Sequence, residues 1–366
     1  MNILVSCVPF DHGKSGISVY IRNVVSALAA QGHNLTLILE SDAVEYFSGY
    51  NVIVLPKWAR STLFSMLYHL FILPFRINWK QYDACLLTAA NRRVFCRYPI
   101  YTIAVVHDLS QYHVEAKYDA FRMFYIMHVL PFFVRRAPAV LAISQSTAND
   151  LKQYWRIVPE KIRVVYNGLS LCQEENPAHD WQQQLGLKRP YVLYISRLEH
   201  PGKKHVNLIK AYDLLPEELA QSIDIVMPGA SWSGSEAVFE AAMASRFSDH
   251  LHFPGFMASR DMKDAYQGAV CYVFPSVFEG FGLSLIEAMH YGIPCACSST
   301  SSLGEIGRDA ALLFNPDSPQ EIADCLQEIL TSKETRERLS AAGIKRAGQF
   351  TWKNHADGVL GMMAEH

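Results

Sequence analysis

The chain has 366 residues, half of them apolar and 19% charged, with 33 Lys and Arg against 35 Asp and Glu. Because single hydrophobic cores stop growing at about 250–300 residues, this length predicts two domains. The net charge of −2 gives no reason to expect a nucleic-acid-binding protein.

Short β-rich runs alternate with helical patterns along nearly the whole chain, which indicates an α/β protein with parallel sheets covered on both faces. The first half has strands at "NILVSCV", "NLTLIL", "NVIVL", "DACLLT", "YTIAVV", "AVLAIS" and "KIRVVYN", with a helix "SGISVYIRNVVSALAAQGH" closed by Gly32. After a polar stretch near Ser170–Pro190 the pattern restarts with "YVLYIS", "IDIVM", "HLHF", "AVCYVF" and "IPCACSS". Two doubly wound domains would leave a cleft at the carboxyl ends of their strands, where ligands bind.

Several features exclude other classes of protein. The eight cysteines never form a CxxC pair and mostly lie in apolar runs, which is typical of reduced thiols in a cytosolic protein and gives little support to a zinc site. The start "MNILVSCVPF" has no positive n-region, so it is predicted to be a strand and not a signal peptide. The apolar stretch from Leu63 is broken by His69 and Pro74 and is too short to span a membrane.

Two segments that follow predicted strands carry groups suited to catalysis. "TIAVVHDLSQ" sets His107 directly after a strand; a histidine there is more often structural, and its place at the carboxyl end favours a function. "YISRLEHPGKKHVNLIKAY" carries Arg197 and, six residues later, Lys203. Two cations placed close together can stabilise negative charge on a leaving group. Because Lys204 is adjacent, the sequence does not decide which lysine pairs with Arg197. A basic loop that is simply exposed to solvent is the alternative interpretation.

The stretch "FPSVFEGFGLSLIEAM" is predicted to be a strand, a turn and a helix closed by Gly292. Gly280 and Gly282 let backbone amides approach a ligand, and the helix N-terminus attracts an anion such as a phosphate. Glu279 and Glu287 could then contact the sugar and the ribose hydroxyls of a nucleotide sugar. An ordinary turn with two solvated glutamates is an equally good interpretation of this stretch alone.

Two rival nucleotide motifs fit less well. A dinucleotide GxGxxG motif would need glycine at Leu285, and a P-loop around "GKS" would need glycine at Val8. We therefore discount an NAD oxidoreductase and reject an ATPase.

The chain resembles retaining glycosyltransferases of the GT-B fold, family four, whose hallmark is Glu, seven residues, Glu. Glu279 and Glu287 match that spacing, and "PSVFEGFGLSLIEAMHYGIPCACS" looks like the family's most specific segment. The resemblance implies two Rossmann-like doubly wound domains facing a central cleft. Residues 1–175 would bind the acceptor and 176–349 the nucleotide sugar, while 350–366 would form a helix crossing back to the N-terminal domain.

The resemblance also implies roles for individual residues. In similar transferases the histidine lies against the donor sugar and the two cations neutralise the diphosphate, so the implied catalytic residues are His107, Arg197, Lys203 and Glu279. The implied nucleotide-sugar contacts are Gly16, Gly229, Phe256, Met257, Gly280, Phe281, Gly282, Leu283 and Glu287. Gly16 lies in the family's glycine loop, although Ser15 replaces the usual first glycine. Phe256 and Met257 occupy the place of a strand that reads the nucleobase through its main chain.

The charge of residues 51–140 bears on which acceptor the protein uses. This range holds eleven Lys and Arg against four Asp and Glu. Two segments there, "KWARSTLFSMLYHLFILPFRINWK" and "FRMFYIMHVLPFFVRRA", mix bulky apolar residues with cations, as in helices that lie on an anionic membrane surface. Core helices are the alternative. Peripheral attachment to the cytoplasmic face of the inner membrane would let the protein reach a lipid-linked, polyprenyl diphosphate acceptor.

We therefore expect a cytoplasmic enzyme that moves a hexose from a nucleotide-diphosphate sugar to a hydroxyl of a surface polysaccharide precursor, such as O-antigen, capsule or lipopolysaccharide. By resemblance the anomeric configuration is retained through a front-face reaction, with no cofactor and no metal. GDP-mannose is favoured because polysaccharide mannosyltransferases have a similar "EHPGK" stretch, while UDP and dTDP sugars stay open. A GT-B sugar-nucleotide epimerase and a non-catalytic glycan- or membrane-binding subunit are the alternatives.

Overall fold

The computed structural model describes residues 1–13, 15–113, 123–171 and 181–365. The chain divides into two compact units, one formed by Met1–Gly168 with Phe350–His366 and the other by Leu169–Gln349. The predicted boundary between residues 175 and 176 lies outside the described residues.

Each unit contains one parallel sheet. The strands of the first unit are β1 (Asn2–Ser6), β2 (Asn34–Leu39), β3 (Asn51–Val54), β4 (Ala84–Leu87), β5 (Thr102–Val106), β6 (Ala139–Ala142) and β7 (Ile162–Val164). Those of the second are β8 (Tyr191–Leu193), β9 (Asp224–Val226), β10 (Leu251–His252), β11 (Ala269–Phe274), β12 (Cys295–Ser298) and β13 (Leu312–Phe314). Each of the twelve runs predicted as strands contains one of these strands. The strand β13 was not predicted.

Both sheets have the doubly wound strand order of a Rossmann-like domain. The first sheet runs β3-β2-β1-β4-β5-β6-β7 and the second runs β10-β9-β8-β11-β12-β13. Each order reverses its direction once, between β1 and β4 and between β8 and β11. All residues of β4, β5 and β6 are buried, as expected for central strands with helices on both faces.

The helices cover both sheets. The first unit has α1 (Gly16–Ala30), α2 (Thr62–Leu67), α3 (Leu73–Arg76), α4 (Leu130–Val134) and α5 (Gln145–Gln153), with π-helical turns at Tyr68–Ile72 and Tyr125–Val129. The second has α6 (Trp181–Gln184), α7 (His205–Asp213), α8 (Glu217–Gln221), α9 (Ser235–Ala244), α10 (Ser259–Gly268), α11 (Leu283–His290), α12 (Ser301–Gly307), α13 (Pro319–Thr331) and α14 (Lys333–Ala347). The last helix, α15 (Trp352–Ala364), belongs to the first unit.

Helix α15 packs against α1, as the predicted crossing-back helix requires. The hydroxyl of Tyr20 on α1 lies 2.9 Å from Nε2 of His355 on α15. Gly358 lets the helix approach the end of β7, because a Cβ there would lie 2.7 Å from a methyl carbon of Val165. The predicted α/β fold, with two Rossmann-like domains and a returning C-terminal helix, is therefore confirmed.

Candidate active site

The reversal point of the second sheet brings two predicted motifs together. The loop after β8 carries Arg197 and Lys203, and the turn after β11 carries Glu279. Strands β8 and β11 are direct neighbours. Ligands of doubly wound sheets bind outside the carboxyl ends of the strands at such a point.

Lys203 and Glu279 form an ion pair at this point, with Nζ 2.6 Å from Oε1 and both side chains mostly buried. The carbonyl of Lys203 accepts a hydrogen bond of 2.8 Å from the hydroxyl of Tyr194. Lys204 instead forms an ion pair with Asp317 at 2.6 Å. Lys203 is therefore the lysine that contacts the turn after β11.

Two serines of α12 hold the backbone of Glu279. The amide of Glu279 donates to Oγ of Ser301 at 3.1 Å, and its carbonyl accepts from the hydroxyl of Ser302 at 2.8 Å. Neither serine was predicted as a site residue, because both lie more than twenty positions further along the chain.

The glycine turn leads directly into α11. Gly282 has φ +96°, a left-handed conformation that favours glycine, and a Cβ there would lie 2.8 Å from Cδ2 of Leu303. Gly280 and the buried Phe281 precede it, and Leu283 begins the helix. No side chain caps this helix and its first turn has no acidic residue, so the N-terminus of α11 is suited to an anion.

Arg197 is held from two sides. Its Nη2 lies 3.1 Å from Oε2 of Glu199, and its Cζ lies 4.9 Å from the ring centroid of Trp232. The side chain is 48% exposed. The guanidinium is thus oriented and still accessible to a ligand.

Gly229 permits a close approach between two loops. A Cβ at this position would lie 1.8 Å from the carbonyl oxygen of Ser196, and the amide of Gly229 donates to the carbonyl of Gly255 at 2.7 Å. Gly229 therefore supports the loop that carries Arg197.

The prediction that Phe256 and Met257 lie on a strand is wrong. Strand β10 ends at His252, because Pro254 cannot donate to a ladder and Gly255 adopts φ +79°. Phe256 is 82% exposed, so it is not a core residue either.

Glu287 lies on α11 with a partner of its own. Its Oε2 accepts a hydrogen bond of 2.8 Å from the hydroxyl of Tyr266. Burial raises the pKa of Glu287 to about 7, although the bond from Tyr266 acts to lower it. Tyr266 was not predicted, since an aromatic residue within a helix is ordinarily part of the core.

His107 belongs to the first unit and directly follows β5. Its Nε2 lies 2.7 Å from the carbonyl oxygen of Thr88, so Nε2 carries the proton and Nδ1 can accept. The ring packs edge-on against Tyr20, and burial lowers the pKa of His107 to about 4. The imidazole is therefore neutral at pH 7.

Gly16 is the first residue of α1, in a loop organised by Asp11. The Asp11 carboxylate accepts hydrogen bonds from the amide of Ser15, at 3.1 Å, and from the hydroxyl of Ser18. Burial acts to raise the pKa of Asp11, but these bonds outweigh it and the pKa is lowered. A negative charge thus already faces this helix N-terminus, which suits the hydroxyl of an acceptor better than a phosphate.

Each predicted site residue therefore has a defined place, with His107 and Gly16 in the first unit and the others in the second. Within the part of the chain that the structure describes, no group of three or more His, Cys, Asp or Glu could hold a metal ion. None of the described helices combines the length and apolar character needed to span a membrane.

Two family models match the chain. "Glycosyltransferase Family 4" matches residues 14–172 and "Glycosyl transferases group 1" matches residues 175–346. Together they extend over nearly the whole chain.

Curated relatives include two Escherichia coli proteins. The chain is 26% identical over 257 residues to "O-antigen chain mannosyltransferase B", covering 69% of this chain and 67% of that protein. It is 31% identical over 271 residues to "Serotype-specific mannosyltransferase WbdA", covering 70% of this chain and 32% of that protein. The chain thus spans about two thirds of one relative and about a third of the other.

Solved structures share the fold over the full chain. A sucrose-phosphate synthase from Thermosynechococcus elongatus has a TM-score of 0.78 and 20% identity, covering 100% of this chain and 98% of that one. The Anabaena protein HepE, solved with UDP and glucose, has a TM-score of 0.74 and 16% identity, covering 100% of both chains. The matched family models and the shared GT-B fold show that the chain belongs to the family 4 glycosyltransferases.

Proposed function

We propose that this glycosyltransferase moves mannose from GDP-mannose to a hydroxyl of a lipid-linked surface polysaccharide precursor, with retention of the anomeric configuration. The observation that carries the proposal is the Lys203–Glu279 ion pair beside the uncapped N-terminus of α11. Two relatives named as mannosyltransferases support the choice of sugar.

The residues of the second unit have distinct roles in this proposal. Arg197, Lys203 and the amides of the turn at 280–283 stabilise the charge that develops on the leaving diphosphate. Glu279 contacts the sugar while its charge keeps Lys203 in place. Glu287 accepts hydrogen bonds from the ribose hydroxyls.

In the first unit, His107 binds the donor sugar and Asp11 accepts a hydrogen bond from the acceptor hydroxyl. Because His107 is neutral at pH 7, its Nδ1 can accept a hydrogen bond from a sugar hydroxyl. The leaving phosphate takes the acceptor proton, so no covalent intermediate on the protein is needed.

The nucleotide is tested by thermal shift with GDP, UDP, dTDP, ADP and NAD. A ligand at about a hundred times its Kd adds about 2.7 kcal/mol to stability, so GDP is expected to raise the Tm most. A larger shift with UDP or dTDP would reassign the donor base. No shift with any nucleotide would favour the non-catalytic interpretation.

The reaction is tested with GDP-mannose and a lipid-anchored mannoside acceptor, with the product analysed by NMR. We expect an axial α-linkage that matches the configuration of the donor. A β-linked product would contradict retention. Conversion of the sugar nucleotide without an acceptor would favour the epimerase.

We further propose that the first unit binds the cytoplasmic face of the inner membrane through two similar segments. Each contains Tyr, four residues, then Leu-Pro-Phe, and each folds as a π-helical turn followed by a short helix, at Tyr68–Arg76 and Tyr125–Val134. The rings of Phe71 and Phe133 meet at 6.1 Å, so the two segments are neighbours.

Together these segments expose an aromatic surface flanked by cations. Phe75 is 63% exposed and Phe132 is 47% exposed. The guanidinium of Arg97 lies 4.6 Å from the ring centroid of Phe75, and that of Arg136 lies 3.5 Å from that of Phe132. The sequence has no Asp or Glu at 57–80 or at 123–140. Such a surface suits anionic lipid headgroups.

Membrane binding is tested by co-sedimentation with vesicles of phosphatidylcholine alone or with phosphatidylglycerol. We expect binding only to the anionic vesicles, and loss of that binding in the double variant Phe75→Ser, Phe132→Ser. Met243→Ser is the matched control, because Met243 is 75% exposed in the other unit. Equal binding by the double variant and the wild type would contradict this surface.

A further inference from the structure

Tyr266 is a buried phenol fixed against the first turns of α11. It is 1% exposed, and its hydroxyl lies 2.8 Å from Oε2 of Glu287 and 3.2 Å from the carbonyl of Ser284. Its ring stacks on Tyr291, with centroids 5.6 Å apart, and contacts Tyr272 at 5.7 Å. The position of the hydroxyl is therefore set by packing on several sides.

The single proton of this phenol has two possible acceptors. When Glu287 is ionised, the proton forms the stronger, charge-assisted bond to the carboxylate. When Glu287 is protonated, the carboxylic acid becomes the donor and the phenol proton can turn to the carbonyl of Ser284. The hydrogen bond between Tyr266 and Glu287 therefore depends on the charge of Glu287.

Among the residues that the structure describes, burial and the bond from Tyr266 are what set the pKa of Glu287. The titratable groups around this pair are the phenols of Tyr266, from α10, of Tyr272, from β11, and of Tyr291, just after α11, and the thiol of Cys295, from β12. Among the described residues no Lys, Arg or His pairs with Glu287, and Tyr266 is its hydrogen-bond partner. Burial favours the protonated form of Glu287, and the hydrogen bond from the Tyr266 phenol favours the ionised form.

We propose that Tyr266 is a positioning residue for nucleotide binding, which holds the Glu287 carboxylate in the charge state and orientation that accept hydrogen bonds from ribose. Oε2 is bonded to the phenol, which leaves Oε1 for the ribose hydroxyls. This inference rests on the proposed function, because it assumes the ribose contact of Glu287.

The test compares the wild type with Tyr266→Phe, which keeps the packed ring and removes the hydroxyl. The Kd for GDP is measured by calorimetry from pH 6 to pH 9 without added metal. Wild-type affinity is expected to fall as the pH drops through about 7. Loss of the donor raises the pKa of Glu287, so this fall should move upward by about one pH unit. Binding to the variant should then be about fivefold weaker at pH 7 and close to normal at pH 9.

Two control variants make the result specific. Tyr212→Phe removes a hydroxyl that donates to the carbonyls of Ala220 and Ile223 in the same unit, and it should leave the pH profile unchanged. Glu287→Gln should weaken GDP binding at pH 9 and abolish any further pH effect of Tyr266→Phe.

The outcomes separate this inference from the proposed function. If Glu287→Gln weakens binding while Tyr266→Phe has the wild-type profile, the role of Tyr266 is wrong and the ribose contact stands. Binding that is uniformly weaker in Tyr266→Phe, with no shift along the pH axis, would also overturn the inference, because it indicates a purely structural role. If Glu287→Gln binds GDP as the wild type does, the ribose contact and the inference both fail.

Discussion

At the scale of single residues, the adjacent Lys203 and Lys204 after β8 allow a controlled test of which side chains stabilise the charge on the leaving diphosphate. The double variant Arg197→Ala, Lys203→Ala should lower turnover by several orders of magnitude, since each donor to developing charge is worth about 2.7–4 kcal/mol. Lys204→Ala is the control, because Lys204 pairs with Asp317. Steady-state kinetics should show near-normal turnover for this control. Equal losses in Lys203→Ala and Lys204→Ala would contradict the assignment.

Gly229 tests the close approach of the two loops. In Gly229→Ala the new Cβ would meet the carbonyl of Ser196, so the backbone beside Arg197 must move. We expect unfolding in urea to show a loss of about 1–3 kcal/mol, together with weaker GDP binding. Gly361→Ala is the control, since nothing lies within 4 Å of its Cβ on α15. It should be unchanged or up to about 1 kcal/mol more stable.

At the scale of elements, the attachment of α15 to α1 depends on a buried hydrogen bond. Nδ1 of His355 bonds to the carbonyl of Tyr166 at 2.9 Å, so Nε2 must accept the proton of Tyr20. Tyr20→Phe leaves that acceptor unsatisfied and should cost about 1–3 kcal/mol of stability in urea denaturation. Arg163→Ala removes an exposed ion pair with Glu365 and should cost less than about 1 kcal/mol. Equal losses would contradict the importance of the buried bond.

At the scale of the whole molecule, buried neutral histidines predict sensitivity to acid. Burial lowers the pKa values of His69 and His205 to about 3 and those of His107 and His355 to about 4. Because the unfolded chain takes up protons near pH 6.5 while these folded groups do not, stability falls as the pH drops below 6.5. Each histidine should cost about 2 kcal/mol at pH 5.

This cost is unequal between the two units, since three of these four histidines lie in the first unit and one in the second. Pulse proteolysis with mass spectrometry, at pH 7 and pH 5, should therefore show that fragments of Met1–Gly168 become susceptible first. Earlier cleavage within Leu169–Gln349 would contradict this order.

Much of the architecture was determined by the sequence alone, because it is encoded locally. Apolar runs of four to six residues mark central strands, and Gly32 and Gly292, with φ +81° and +72°, close their helices as predicted. The spacing of Glu279 and Glu287 identified the family for the same reason, since a strand, a glycine turn and a helix are contiguous. The strand prediction for Phe256 was wrong, because the apolar residues that follow Pro254 do not extend β10 and Phe256 is exposed instead.

Only the tertiary structure decided which side chains meet. Lys203 and Glu279 are 76 positions apart, and their contact follows from the neighbouring placement of β8 and β11. Strand order and packing also decide that Lys203, and not Lys204, contacts Glu279. They likewise bring two serines to the backbone of Glu279 and the hydroxyl of Tyr266 to Glu287. The sequence by itself determined the residue types that handle a nucleotide sugar. The fold determined their partners, because hydrogen bonds and ion pairs depend on distances that a parallel sheet sets between remote segments.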